Sequence, residues 1–444
     1  MLVSELASKS VTFEDIGTAR WFMNHENLER LNIQSHLNVQ AQCEEFVTEV
    51  FLTHSKIDFL VRDLLTIEAW KRRVFPKVLD VAAAHSIKSY MILYHEATLV
   101  NLLEILFYNK ESVLQVSDLL VDIVDFCHRK MTYLNTWEEP IELPSMAHTE
   151  QQSLLKSQRD LEFGIAVSSL SIFRYITDAC SDVPLDVLTR ILNVNEMICT
   201  CVFLIENAPW IQKSSSKKKY SRFEAGAWKD VEDEEMQRLG KVEAQVWLAL
   251  YNLLLDGECR RKLIYTEHNK AVILRLRSYV EPILVDQLPM LAQVQRHLDE
   301  LLIMDVPTSI EKKGLLIEQV PDLSSEIMNK CNVPRLSARF TALIQDETNG
   351  AEGMSSMALA KSMAAMYDLD NLDSLLEDPK CGKCGRLAEN RCSKCKSEWY
   401  CSRQCQVQSW QKHKSICVLM EESNAFKENE RRSQHRVSTL VQEL

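Results

Sequence analysis

Two adjoining stretches decide the fold: IKSYMILYHEATLVNLLEILFYN (87–109) and VLQVSDLLVDIVDFCHRK (113–130). In the second, Val113, Val116, Leu120, Ile123 and Cys127 recur at spacings of three and four, which predicts one helix face. Asp118, Asp122 and Asp125 are expected on the other side. The first stretch is apolar nearly all round, as expected of a helix buried between neighbours. The same helical pattern continues from about residue 34 to 346. Pro76, Pro184, Pro282 and Pro334 sit near the starts of periodic runs, where proline is tolerated. Residues 135–147 and 207–222 read as longer loops, and KSSSKKKYSR (213–222) as a solvated one.

Composition agrees with a helical body. Average glycine usage of about 7% would give roughly 31 glycines in a chain of this length, and the 444 residues contain 10. A nucleotide-binding sheet, a β-sandwich and a β-propeller all need more glycine at their turns. Many helices joined by short connections suggest an armadillo- or HEAT-like solenoid. No fixed repeat period is found, so an irregular helical bundle is the alternative. The expected organisation is a helical body over 1–346, a partly helical linker over 347–378, a cysteine-rich module over 379–420 and a polar tail over 421–444 that ends in a loosely held helix. The linker reads first as a plain connection; the alternative is that Met354, Met357, Met363 and Met366 line one helix face as a soft docking surface for a partner.

The opening MLVSELASKSVTFEDIG has acidic residues and no apolar core, so no secretory signal is expected. The longest apolar run, MICTCVFLI (197–205), is too short for a membrane span. These features predict a cytosolic or nuclear protein. There, clustered cysteines imply metal rather than disulfides.

Seven of the 14 cysteines fall within 381–417. They read C-x2-C-x7-C-x2-C-x5-C-x3-C-x7-H-x3-C, through Cys381, Cys384, Cys392, Cys395, Cys401, Cys405, His413 and Cys417. Eight soft ligands suit two tetrahedral Zn2+ ions, four ligands each. Each C-x2-C pair makes a tight knuckle, with Gly382 and Gly385 at the first. The C-x3-C and H-x3-C pairs place both side chains on one helix face. Both ions are structural, because protein donors fill every position. So short a segment lacks a core, and zinc supplies about 10–16 kcal/mol per site instead. The formal charge of −12 is divided as well. Residues 378–420 hold nine Lys/Arg against three Asp/Glu, so the remainder carries −18. Seven thiolates and two zinc ions bring the module to about +3.

The array, with YCSRQCQVQSWQKHK (400–414), resembles the MYND zinc finger. That resemblance implies an interleaved pairing: Cys381, Cys384, Cys401 and Cys405 on one zinc, Cys392, Cys395, His413 and Cys417 on the other. It also implies a shallow groove for proline-rich partner segments, with Gln406 and Trp410 as peptide-binding residues. The competing reading of Trp410 is a place in the finger's own small core. Trp399 and Tyr400 are expected inside the finger.

No catalytic constellation emerges, and the chain is read as a non-enzyme. HENLE (25–29) and HEATL (95–99) begin like HExxH but lack the second histidine. Cys127 and His128 are read as a core residue and a surface residue, and Cys199 and Cys201 as core. The body is also similar to MYND-finger assembly factors for axonemal dynein, through HENLERLN (25–32), HEATLVNLLEILFYNKE (95–111), DFCHRK (125–130), RYITDAC (174–180), VWLALYNLLL (246–255), DQLPMLA (286–292) and SEWYC (397–401). That similarity implies a cytoplasmic adaptor or co-chaperone for inner and outer dynein arms of motile cilia, found at centriolar satellites and dynein-assembly granules. Implied partners are a leucine-rich-repeat assembly factor, the ninety-kilodalton heat-shock chaperone and an immunophilin co-chaperone. Implied clients are the axonemal dynein intermediate and heavy chains. Neither nucleic acid nor a membrane span is expected. The alternative is a nuclear transcriptional corepressor adaptor using the same finger.

Overall fold

In the computed structural model the described residues are 3, 6, 11–40, 45–138, 149–213, 220–305, 323–348, 353–366 and, of 381–417, all but 382, 385, 387, 389, 395–398, 411–412 and 415–416. They form two compact units, 1–361 and 362–444. The first is helical. Its main helices are α1 (Ala19–Gln40), α2 (Ile57–Arg73), α3 (Ser86–Phe107), α4 (Leu120–Asn135), α5 (Glu150–Asp178), α6 (Met197–Asn207), α7 (Lys241–Leu255), α8 (Glu267–Leu274) and α9 (Leu291–Ile303). After them come α10 (Leu323–Lys330), α11 (Val333–Gln345) and α12 (Ser356–Met366). Thr149 starts α5 with a capping box, its hydroxyl accepting from the Gln152 N–H and its own N–H donating to the Gln152 side chain.

From α1 to α9 each helix packs mainly on others close in sequence, the progression expected of stacked hairpins. α3, α4 and α7 all pack on the long α5. Helix lengths are unequal, and no regular repeat results. The chain then returns. α10 packs on α2, and α11 packs on the short helix Leu79–Ala84. Phe340 of α11 stands edge-on to Trp70, ring centroids 4.9 Å apart. Its ring also lies near Gly17, whose φ of +89° is in the left-handed region that glycine favours.

α3 is 22 residues long and apolar enough to cross a membrane by length and composition. In the structure 72% of that apolar window is buried inside the protein, and the helix carries Lys88, His95 and Glu96. Its polar groups are engaged. Lys88 Nζ donates to the carbonyls of Ile344 (3.0 Å) and Asp346 (2.7 Å) and pairs with Glu347 (3.1 Å), pinning the returning segment. His95 Nε2 lies 3.1 Å from Asp63 Oδ2, and its Nδ1 is 2.9 Å from Nδ1 of His25. The histidines of HENLE and HEATL thus meet in the core as a hydrogen-bonded pair. Burial, with His95 beside it, holds His25 well below the usual imidazole range.

A second polar cluster takes one charge from each of four helices. Lys71 Nζ reaches Glu96 at 2.5 Å and Glu162 at 2.9 Å, and Lys130 Nζ reaches Glu96 at 2.7 Å and also Glu162. Two cations alternate with two carboxylates, so the cluster is neutral as a whole. Burial alone would raise the Glu162 carboxyl, but Lys130 and Lys71 outweigh it and hold it at about 2. Beside this ring, Arg129 grips Glu68 with two bonds of 2.9 and 2.6 Å.

Several expectations are corrected. The run 113–130 is two helices, because Lys110–Gln115 ends at Val116 and a 3-10 turn (Ser117–Leu119) precedes α4. The apolar face survives this break, and Val113, Val116, Leu120, Ile123 and Cys127 are all buried. Asp122 is buried too. Its carboxylate accepts from the backbone N–H groups of Leu323 (3.1 Å) and Ser324 (2.8 Å), satisfying open donors at the start of α10.

The stretch 207–222 runs into an antiparallel sheet, β1 (Ile211–Lys213), β2 (Tyr220–Glu224) and β3 (Ala227–Val231). Ala225 and Gly226, both at positive φ, close the β2–β3 hairpin. Arg222, read as part of a solvated loop, is buried and donates to the Arg238 carbonyl at 3.0 Å. In the linker Met357 and Met363 do not share a face. Met357 is exposed and Met363 half-buried, since six residues at 100° each turn the helix well past one side. The side chain of Met366, the loop 139–148 and the tail 421–444 lie outside the described residues.

Five of the seven dispersed cysteines are core residues, while Cys331 is half-buried and Cys43 lies outside the described residues. Cys127, Cys180, Cys199, Cys201 and Cys259 are buried. Burial pushes the Cys127 thiol up to about 12 and Cys199 up to about 11.

Candidate metal centre

The second unit is built on a short hairpin, β4 (Asn390–Arg391) against β5 (Trp399–Tyr400), with Asn390 opposite Tyr400 and Arg391 opposite Trp399. Each strand delivers a cysteine at its end, Cys392 after β4 and Cys401 after β5. A helix over 403–410 follows and carries Cys405. Ser402 caps it, its hydroxyl accepting from the Cys405 N–H at 3.3 Å. A 2.7 Å bond from the Cys381 N–H to the Arg386 carbonyl closes the first knuckle.

The ligand atoms of Cys381, Cys384, Cys401 and Cys405 all lie within 4.8 Å of one another. Cys384 Sγ is 3.5 Å from Cys401 Sγ and 3.9 Å from Cys405 Sγ, and Cys401 and Cys405 are 3.6 Å apart. Four sulfurs at about 2.3 Å around one tetrahedral zinc stand about 3.8 Å from each other, so the donors fit that ion. Cys392, His413 and Cys417 form a second group, with Cys392 and Cys417 sulfurs 3.8 Å apart. Cys395 lies outside the described residues, as do Gly382 and Gly385. For the seven described ligands these distances give two groups in the order the family resemblance implies.

The thiols also have the electrostatics of a metal cluster. A hydrogen bond from the Cys401 backbone, with others from Cys384 and Lys383, lowers the Cys381 thiol to about 6. Hydrogen bonding with the Cys384 and Cys405 sulfurs pushes Cys401 up to about 12. Four adjacent thiols do not all ionise unaided. A divalent cation displaces the shared protons and makes them all thiolates.

Cys381, Ala388, Cys392, Tyr400 and Cys417 form the finger's small core, with Trp399 packed against it and the Arg391 guanidinium 4.3 Å from the Trp399 ring centre. Tyr400 is buried. Trp410 is 37% exposed, and its ring centre is 6.0 Å from that of His413. Gln406 is half-buried on the same helix. The side chain that spacing did not single out is Val407, which is 66% exposed between them.

Residues 381–417 match the family model described as "MYND finger". The chain carries a MYND finger. The likeness extends far beyond it. The chain is 25% identical over 441 residues to a Drosophila melanogaster protein named zinc finger MYND domain-containing protein 10 homolog, covering 91% of this chain and 94% of that protein. A mouse protein, Tudor domain-containing protein 1, is 34% identical over 73 residues, 16% of this chain and 6% of its own length. No solved structure matches. The long match therefore takes in the helical body, whereas the mouse match is local. Two Cys/His groups within a MYND finger hold two zinc ions, and such a finger is a protein-interaction module.

Proposed function

We propose that the chain is a non-enzymatic adaptor that assists cytoplasmic preassembly and stabilisation of inner and outer axonemal dynein arms. The observation that carries the reading is a half-exposed tryptophan on a helix that closed metal sites hold rigid. Trp410 and Gln406, four residues apart, face one side of that helix. Zinc fixes the helix and contributes no open coordination position for chemistry. The finger grips a segment of the leucine-rich-repeat assembly factor. The acidic helical body engages dynein chains, the ninety-kilodalton heat-shock chaperone and its immunophilin co-chaperone. On this reading the protein works at centriolar satellites and dynein-assembly granules. Likeness along nearly the whole chain to another MYND-finger protein supports a shared role for body and finger.

The test is Trp410→Ala in the full chain, expressed in ciliated cells, with zinc content and co-purifying proteins measured together. Loss of the assembly factor at two zinc ions per chain supports the reading. Loss of zinc makes Trp410 a structural residue. Capture of histone deacetylases in place of dynein chains favours a nuclear corepressor adaptor.

A further inference from the structure

The helix over 403–410 presents more than an aromatic anchor. Arg403, Gln406, Val407 and Trp410 stand at i, i+3, i+4 and i+7, which is one face. Cys405 lies on the inner side, among the first group of metal ligands. Along the outer face an exposed cation, an exposed aliphatic and a half-exposed aromatic follow one another. Arg403 has no ion-pair partner among the described residues. Lys383 reaches the side chain of Gln408 on the same helix and adds positive charge beside it. An exposed Val407 and a half-exposed Trp410, ending at a guanidinium with no ion-pair partner among the described residues, form an amphipathic face turned the wrong way for a self-contained module.

We propose that this face selects an extended partner segment carrying a carboxylate about three residues from its apolar anchor. The spacing follows from helix geometry. Seven residues at about 1.5 Å separate Arg403 from Trp410 by roughly 10 Å along the axis. An extended chain covers that distance in about three residues of about 3.3 Å. An extended occupant suits the site, because Arg403 and Trp410 are two turns apart and a partner helix matching that span is marginal alone. Charge fixes the sign of the flank, since nine Lys/Arg face three Asp/Glu across residues 378–420. Trp410 supplies the anchor, Val407 extends the apolar contact, and Arg403 reads the acid. This selection rests on the reading that the finger grips a partner, and adds to it which segments are accepted.

The test uses the full zinc-loaded chain and fluorescein-labelled nine-residue peptides followed by anisotropy. One peptide has Leu with Glu three residues after it, another has Glu three residues before it, and a third replaces Glu by Lys. A fourth is proline-rich without any acid. One of the two acidic peptides should bind best, since chain direction is the single free choice. Arg403→Glu should weaken it about threefold to fivefold and strengthen the Lys peptide by a similar factor, the size of an exposed charge pair. The difference should fade as salt approaches 1 M. Val407→Ala should weaken every peptide, and zinc content and helical signal should not change. If Trp410→Ala abolishes binding while Arg403→Glu leaves the ranking unchanged, the acidic selection is wrong and the adaptor reading stands. If no peptide binds the wild-type chain, both fall.

Discussion

Replacing Lys130 by Met removes one of two cations from a ring shared by α2, α3, α4 and α5. Its partners Glu96 and Glu162 would then compete for Lys71, at 2.5 and 2.9 Å. Glu96 is fully buried, whereas the Glu162 side chain keeps 23% of its exposure and can reach water. Breaking a buried ion pair from one side costs about 3–5 kcal/mol, and the partial exposure of Glu162 favours the lower end. At about 2.1 cal/mol/K of unfolding entropy per residue, a body of about 350 residues shifts roughly 1.4 °C per kcal/mol. Lys130→Met should therefore lower the far-UV thermal midpoint of the full chain by about 4–5 °C.

The double variant Lys130→Met/Glu162→Leu leaves a one-to-one pair of Lys71 with Glu96, and it should recover at least a third of that loss. The pH dependence follows from the same charges. The Glu162 carboxyl, held at about 2 against an ordinary 4.5, contributes stability that is complete above pH 4.5 and lost as pH falls toward 2. Burial alone would lower Lys130, but Glu96 and Glu162 raise it above its ordinary range. Its contribution is complete below about pH 10 and lost only above that. A single variant within 1 °C of wild type, or a double variant whose losses simply add, would refute the view of the ring as one coupled unit.

Cys401→Ser and His413→Ala should each release zinc, read by metal analysis, while the helical signal of the body changes little. Global loss of helicity on chelation would contradict two separately folded units. Asp122→Ala should cost about 1–2 kcal/mol, the worth of a helix cap, and speed amide exchange at the start of α10 far more than in α5. Gly226→Val, at φ +79°, should destabilise the β2–β3 hairpin by about 1–2 kcal/mol, the cost of a bulky residue in a left-handed position. Native-state alkylation at pH 8 should spare Cys127 and Cys199 and should reach the finger cysteines once a chelator is present.

Local spacing made the helical body and the metal ligands legible. A three-four apolar period needs only one turn of neighbours to be recognised, and so does C-x2-C. What escaped the sequence depends on distant pairs. Lys71, Glu96, Lys130 and Glu162 lie on four different helices among other charged residues, and only packing brings them together. The capping role of Asp122 was not legible, because the residues it caps, Leu323 and Ser324, are some 200 positions away. The sheet beyond Ile211 was hidden by a basic, serine-rich run that looks like a loop, and its tight turn uses one of the ten glycines. The apolar pattern crossed the break at Val116 without interruption, since a 3-10 turn keeps side chains near the same face. In the finger, the positions of Gln406 and Trp410 were legible through a family pattern. The exposure that separates Trp410 from Tyr400 required the fold.

The return of α11 to the start of the body has a consequence for synthesis. Trp70 leaves the ribosome about 270 residues before Phe340, its ring partner. At about 5–20 residues per second, the amino-terminal surface waits on the order of tens of seconds for its cover. During that interval an apolar patch is open to holdase chaperones. A message truncated anywhere before codon 333 makes that interval permanent. Early stop codons should thus produce an insoluble or rapidly degraded body, whereas a stop just before Cys381 should leave a soluble body that merely lacks its grip.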